Sequence, residues 1–305
     1  MREIALLTEA RFFAEPAGDS WYIKQIIDED TLLADALGAV GLRATRVDWS
    51  DPNVAWGSFA GAVIRATWSY ADQPAVFHDA LSAIARQTTL INRLETVAWN
   101  LDKHYLADLA EGGVATIPTR FVARGTETSL LDQLAVMGCD ELCIKPVISA
   151  GARHTYRVTA ARLASEPDLE HTFQAVLATE DWMVQPFQRS VPLEGELAFM
   201  VFGGKCTHAV RKRPADGDFR VQDDFGGTVV SHPATAAERA FAEAVVAQCP
   251  SLPAYARVDA VIANDGRLSV MELELVEPEL FLRFEPSAAN LLAEAIVRVL
   301  APEPS

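Results

Sequence analysis

Residues 257–278 read RVDAVIANDGRLSVMELELVEP, and two runs of strictly alternating apolar residues in this stretch flank Asp265-Gly266. Asp-Gly between such runs is a favoured two-residue hairpin turn. With that turn, Asn264 pairs with Arg267, Asp259 falls opposite Glu272, and Arg257 falls opposite Glu274. Strand side chains alternate with period 2, so the four charged residues share one face. Val258, Ala260, Ile262, Met271 and Leu273 share the other, core-facing side. Directly opposed Cβ atoms lie about 4.5–5.5 Å apart, and like charges placed there repel. Asp259 and Glu272 therefore need a cation, a shared proton or the nearby Arg257. Two arrangements satisfy this: a solvated acidic face neutralised by arginine, or a divalent-metal site built from oxygen donors, which Mg²⁺ prefers.

The rest of the chain supplies the frame for this hairpin. Its 305 residues are 50% hydrophobic, enough for two or three lobes with their own cores. Lys and Arg number 26 against 42 Asp and Glu, a formal charge of −16. Such a surface argues against nucleic acid or an anionic membrane as partner, because both reward clustered cations. Cys139, Cys143, Cys206 and Cys249 form no CxxC pair and no metal-ligand spacing. No amino-terminal signal segment and no apolar run of 18 residues is visible, so a cytoplasmic protein is expected.

Strand patterns at 4–8, 43–49, 61–66 and 90–92 alternate with helical spacing at 22–37, 75–86 and 103–110. This βα rhythm predicts an open, mainly parallel sheet with helices on both faces over residues 1–112. A small α+β lobe follows over 113–186, with strands at 121–123, 142–146, 154–158 and 182–187 and helices at 129–137 and 168–178. Residues 187–305 form a third lobe, in which a hairpin turning at Gly203-Gly204 and a helix at 236–247 precede the acidic hairpin. An amphipathic helix at 289–300 closes the chain. The lobes are expected to pack as one body.

Several positions between these elements carry chemistry. Lys145 ends an apolar strand and is followed by the small-residue segment Ser149-Ala150-Gly151-Ala152. A lysine there either snorkels from the core or presents its ammonium to phosphate oxygens. Small residues allow close backbone approach to a phosphate, and their N–H groups can line an anion nest. The segment 182–187, WMVQPF, is a compact apolar strand and turn whose amides could border a flat ring, although core packing explains the same letters. Arg211, Lys212, Arg213 and Arg220 lie close together among glycines, which suits oxyanion recognition by guanidinium forks; an exposed basic loop reads the same way. No Ser-His-Asp or Cys-His constellation stands out.

Taken in order, these motifs resemble the ATP-grasp superfamily, in its glutathione-synthetase-like and S6-modification-like branch, over about residues 90–300. The resemblance implies an ATP-grasp fold, α/β and α+β, preceded by an open-sheet lobe. It makes Lys103 and Lys145 the nucleotide-binding lysines and places Gly151 in a mobile loop over the phosphates. Gln185 and Phe187 border adenine, and Glu194 is a candidate for ribose. Residues 217–227, GDFRVQDDFGG, resemble the family's arginine-bearing loop, which makes Arg220 the transition-state arginine and Arg211 a second phosphate or carboxylate contact. Asp259, Glu272 and Glu274 match the metal triad for Mg²⁺, two ions in this family; Glu274 departs from the usual asparagine.

Residues 68–70 (WSY), 99–119 and 271–282 also resemble the sub-branch that contains the cycloserine-forming cyclo-ligase. That similarity implies a small amino-acid-like substrate whose carboxylate is activated by ATP as an acyl phosphate and then attacked by nitrogen, here O-ureidoserine closing on itself. Family members often form homodimers. The competing expectations are an ATP-binding protein of this fold with a regulatory role and, more remotely, an oxidoreductase. The first strand lacks the glycine fingerprint a dinucleotide domain needs.

Overall fold

The structure is a computed structural model that describes residues 2–13, 21–221 and 226–301. The apolar runs of the amino-terminal third become β1 (Arg2–Thr8), α1 (Trp21–Ala39), β2 (Leu42–Asp48), β3 (Gly61–Ala66), α2 (Pro74–Ala85) and β4 (Thr89–Ile91). The strands form a parallel sheet in the order β2-β1-β3-β4. Strands covered on both faces must be apolar on both, and β1 shows it. Ile4 and Leu6 pack with Leu33 and Leu37 of α1, while Ala5 and Leu7 pack with Phe77 and Leu81 of α2.

The helix expected over 103–110 is α4 (Tyr105–Glu111), and another that was not expected, α3 (Leu94–Leu101), precedes it. They break at Asp102, which is extended (φ −105°, ψ 121°) and whose carboxylate accepts the His104 N–H at 2.9 Å. Lys103 sits in that break rather than inside a helix.

A second sheet is built from β5 (Arg120–Val122), β6 (Glu141–Pro146), β7 (Tyr156–Thr159) and β8 (Trp182–Pro186), antiparallel in the order β5-β8-β6-β7. Helices α5 (Leu130–Met137), α6 (Ala160–Ser165) and α7 (Asp168–Leu177) belong to the same stretch of chain. A capping box starts α5: Ser129 and Asp132 each bond the other's backbone N–H. Leu142, Ile144, Phe173, Trp182 and Val184 fill this lobe's core.

The remaining chain forms α8 (Ser190–Glu194), β9 (Glu196–Phe202), β10 (Lys205–Arg213), β11 (Thr228–Ser231), α9 (Ala236–Val246), β12 (Tyr255–Ile262), β13 (Leu268–Glu274) and α10 (Ala288–Leu300). Its five strands run in the order β11-β10-β9-β12-β13, every pairing antiparallel. One apolar cluster joins Ile4, Leu6 and Val63 of the first sheet to Met200 and Phe202 of β9 and Leu292 and Ile296 of α10. Two of the three sheets thus share a core. Among the described residues no helix is long and apolar enough to cross a membrane.

The acidic hairpin departs from the expected register at its tip. Ala263 N–H bonds Arg267 O at 2.8 Å and Gly266 N–H bonds Ala263 O at 2.8 Å, so Asn264, Asp265 and Gly266 form a three-residue loop. Asn264 therefore does not pair with Arg267. Gly266 takes φ +85°, the left-handed residue such a loop requires. A bulge between Asp259 and Ala260 then leaves Met271 as an extra residue on β13 and restores the expected pairs. Asp259 lies opposite Glu272, and Arg257 opposite Glu274. The bulge also moves Met271 from the expected core side to the cleft described next, and Ile262 is 38% exposed.

Candidate active site

The functional side chains depend on how β13 is held. Asn100, near the end of α3, donates to Leu273 O at 2.8 Å and accepts from Leu275 N–H at 2.8 Å. The Tyr105 hydroxyl accepts the Leu273 N–H at 2.9 Å. Asn92 (φ 59°) ties in from β4: its amide donates to Tyr255 O at 2.9 Å and Leu275 O at 2.8 Å and accepts from Ala254 N–H at 2.8 Å. These buried polar groups fix β13 because each missing bond would strand a backbone group away from water. Sequence reasoning passed over both asparagines. The signal was their place inside otherwise apolar phrases, LIN and WNLDK.

Beside β13 lies a cleft of about 580 Å³ bounded by the second and third sheets and by residues that follow β1 and β3 of the first. Lys103, Lys145, Gly151, Gln185, Phe187, Arg220, Asp259, Glu272 and Glu274 all line it. Lys103 Nζ sits 3.1 Å from Glu272 Oε1 and donates to Ser149 O at 2.8 Å. Lys145 Nζ donates to the other oxygen, Oε2, at 2.6 Å. Burial alone would push the Glu272 carboxyl up, but the two ammonium groups outweigh it and hold it well below the usual carboxylate range. A second chain of ion pairs runs beside the first. Lys212 lies 2.5 Å from Glu196 and 3.1 Å from Asp259, and Arg257 holds Asp259 at 2.8 Å while also bonding Glu274. Burial raises Asp259, yet Arg257 and Lys212 bring it below its ordinary value. Glu274 goes the other way: burial and the neighbouring carboxylates Asp259 and Glu272, only partly offset by Arg257, push it up to about 7. The residue that stands where the family has asparagine is thus an arginine partner here.

The loop over the cleft is strained as well as small. Gly151, Ala152 and His154 all have positive φ (56°, 57° and 50°), unusual for two residues with side chains and typical of functional loops. Arg153 in the same loop makes a two-pronged bond to Glu180 at 2.9 and 2.7 Å and lies 3.5 Å from Asp72. Phe187 is covered by the Arg157 guanidinium, 4.4 Å from its ring centre, and meets Phe219 edge-on at 5.9 Å. Gln185 points inward and donates to Thr119 Oγ1 at 2.8 Å. Arg220 is turned onto Asp218 at 2.7 Å; residues 222–225 of its loop lie outside the described residues.

Two expected residues fall elsewhere. Glu194 is exposed at the end of α8, and its backbone oxygen accepts a bond from Arg211 at 2.9 Å. Neither lines the cleft. The reason is strand alternation: Lys212, one residue on, shares the cleft face of β10 with its cross-strand partner Glu196. Lys212 and Glu196, not Arg211 and Glu194, are the charged groups here that line the cleft.

Comparison with known proteins places this geometry. A family model described as the D-cycloserine synthetase DcsG N-terminal domain matches residues 4–92. The cycloserine biosynthesis protein DcsG of Streptomyces lavendulae is 33% identical over 283 residues, covering 88% of this chain and 93% of that protein. The chain belongs to the DcsG family. A crystal structure of D-cycloserine synthetase DcsG matches it with a TM-score of 0.85 at 32% identity, over 98% of this chain and 100% of that one. Two more distant structures share the DcsG-family fold. D-alanine–D-alanine ligase from Bacillus anthracis, complexed with ATP, has a TM-score of 0.64 at 16% identity (98% of this chain, 97% of that one). The ATP-grasp ligase PsnB, complexed with a minimal precursor, has a TM-score of 0.62 at 16% identity (97% and 99%). This DcsG-family chain is accordingly an ATP-dependent carbon–nitrogen ligase on the ATP-grasp fold.

Proposed function

We propose that the chain uses ATP to activate the carboxylate of O-ureidoserine and closes it to cycloserine. The observation that carries this is the convergence of Lys103 and Lys145 on Glu272, opposite Asp259, in a cleft lined by residues of all three lobes. The three segments 1–112, 113–186 and 187–305 are the lobes we assign, and each contributes one sheet.

Carboxylate and triphosphate are both anions, so the barrier to their reaction is largely electrostatic. A carboxylate oxygen attacks the γ-phosphorus, the bond to the β–γ bridging oxygen breaks, and ADP leaves. The ureido nitrogen next to oxygen then attacks the acyl carbon and expels phosphate; loss of its carbamoyl group to water balances the ring closure. Lys103, Lys145 and Arg220 offset the charge on the phosphates, and Lys212 supplies the cation first assigned to Arg211. Phe187 and Gln185 border the base.

The donor set of Asp259, Glu272 and Glu274 is all carboxylate oxygen, which fits Mg²⁺. Among the described residues no three such groups stand close enough to hold an ion unaided. That suits a cation that is bound by one or two carboxylates and completed by substrate phosphates. Asp259 and Glu272 would hold it, with Glu274 kept by Arg257, and when bound it neutralises phosphate charge. Each carboxylate is now held by Lys or Arg; with nucleotide bound, Lys103 and Lys145 would serve the phosphates, and Asp259 and Glu272 would be the residues to hold the metal. Closure of the 149–155 loop keeps water from the acyl phosphate.

The test is ADP release and hydroxylamine trapping across a panel of amino acids that includes O-ureidoserine. Substrate-dependent ADP and a hydroxamate are expected. ADP formation indifferent to every amino acid contradicts the proposal.

A further inference from the structure

One buried carboxylate in the cleft has no part in the arrangement just described. Glu277 follows β13, is 7% exposed, and lines the cleft. The Tyr70 hydroxyl is its side-chain hydrogen-bond partner, and among the described residues no lysine or arginine is paired with it. The other cleft carboxylates, Glu196, Asp259, Glu272, Glu274 and Glu279, each have a cation within an ion pair. A carboxylate taken out of water with a single phenol for company is costly unless a cation joins it.

Its surroundings fit an organic cation. Phe12, Tyr22, Trp68 and Tyr70 line this part of the cleft, and Trp68 and Tyr22 lie 6.1 Å apart. Phe12 and Trp68–Tyr70 follow the carboxyl ends of β1 and β3, where open parallel sheets bind their ligands. Aromatic faces attract an ammonium group and repel a second anion. Metal chemistry is poorly served here, because the aromatic wall offers a hard cation few oxygen donors and the nearby Glu29, Asp30 and Glu279 are already paired with Arg65 and Arg283.

We infer that Glu277, aided by the Tyr70 hydroxyl and the Trp68 and Tyr22 rings, is the subsite for the free α-ammonium group of the amino-acid substrate. Resting on the function proposed above, this explains how a molecule with two reactive ends is oriented. Anchoring the ammonium on Glu277 aims the carboxylate at the cation side of the cleft. Burial, with the Glu274 charge second, pushes the Glu277 carboxyl up to about 8, and an ammonium group bound beside it would favour its charged form.

The experiment is a calorimetric titration of cycloserine and of isoxazolidin-3-one, which lacks its amino group, with ADP and Mg²⁺ present. Wild type, Glu277→Gln and Glu277→Asp are compared. Wild type should favour cycloserine by about tenfold to a hundredfold, the range of a charge-assisted bond. Glu277→Gln should lose that preference and bind isoxazolidin-3-one as wild type does, which also shows it folded; Glu277→Asp should keep part of it. A preference that survives in Glu277→Gln, equal weakening of both ligands, or a wild type that binds neither overturns the subsite. Failure of the proposed reaction is seen separately, as wild-type enzyme that releases no ADP with O-ureidoserine.

Discussion

At the scale of single residues, the site turns on Glu272, one carboxylate shared between two lysines. Glu272→Gln keeps the shape, removes the charge and leaves Lys103 and Lys145 without their anion. The expected result is a fall in kcat of about a hundredfold or more, the range seen when one electrostatic stabiliser of a transition state is lost. Steady-state ADP release measures it, and circular dichroism checks that the fold persists. His208 makes a different, pH-dependent prediction. Its ring is buried, bonds Leu280 O at 2.9 Å, and is held below its ordinary value chiefly by burial. The folded state therefore resists protonating it, whereas the unfolded chain takes up the proton near pH 6.5. Its contribution is present above that pH and is lost as pH falls below it. The raised carboxylates Glu274 and Glu277 tilt stability the opposite way over part of the same range, so the comparison must be between wild type and His208→Gln. The stability gap should shift in favour of the variant as pH is lowered from 7 to 5, read by urea melts. A constant gap contradicts the assignment.

At the scale of elements, the hairpin shows what sequence can and cannot carry. The alternating pattern identified both strands and both charged pairs. The two-residue turn was wrong because Asp-Gly also serves the three-residue loop, in which only the glycine is left-handed. A one-residue slip would have turned every side chain over, and the bulge at Met271 cancels it. A bulge leaves no mark in apolar periodicity, so the turn and the bulge offset each other and the expected pairs are the ones observed. Gly266→Ala tests the tip: nothing lies within 4 Å of the added carbon, so only its φ of +85° resists. A loss of about 1 kcal/mol with kcat unchanged is expected. Lys103 and Lys145 were legible from their order along the chain. Arg211 and Glu194 were misplaced because choosing between neighbours requires knowing which strand face meets the cleft. Asn100 was passed over for another reason: it bonds backbone, and its place in the sequence does not say which strand receives those bonds. Asn100→Ala orphans two buried backbone groups on β13, each worth about 1–3 kcal/mol. It should lower Tm and, through the misplaced Glu272, kcat as well.

At the scale of the whole molecule, the first and third sheets share one core, while the small lobe has its own. The cleft between them is filled with internal ion pairs, so Asp259 and Glu272, the carboxylates that would hold the metal, already have cations. Mg²⁺ alone should then change Tm little, whereas MgATP, which brings phosphates for the lysines, should raise it by several degrees through mass action. A full shift with Mg²⁺ alone contradicts that. The central claim is that the substrate carboxylate is phosphorylated before the ring closes, and oxygen transfer reports it without trapping. O-Ureidoserine labelled with ¹⁸O in its carboxylate is turned over with ATP, and the inorganic phosphate is read by ³¹P NMR. One ¹⁸O atom in each phosphate released is the predicted result. Cycloserine formed while the phosphate released carries no label would contradict it.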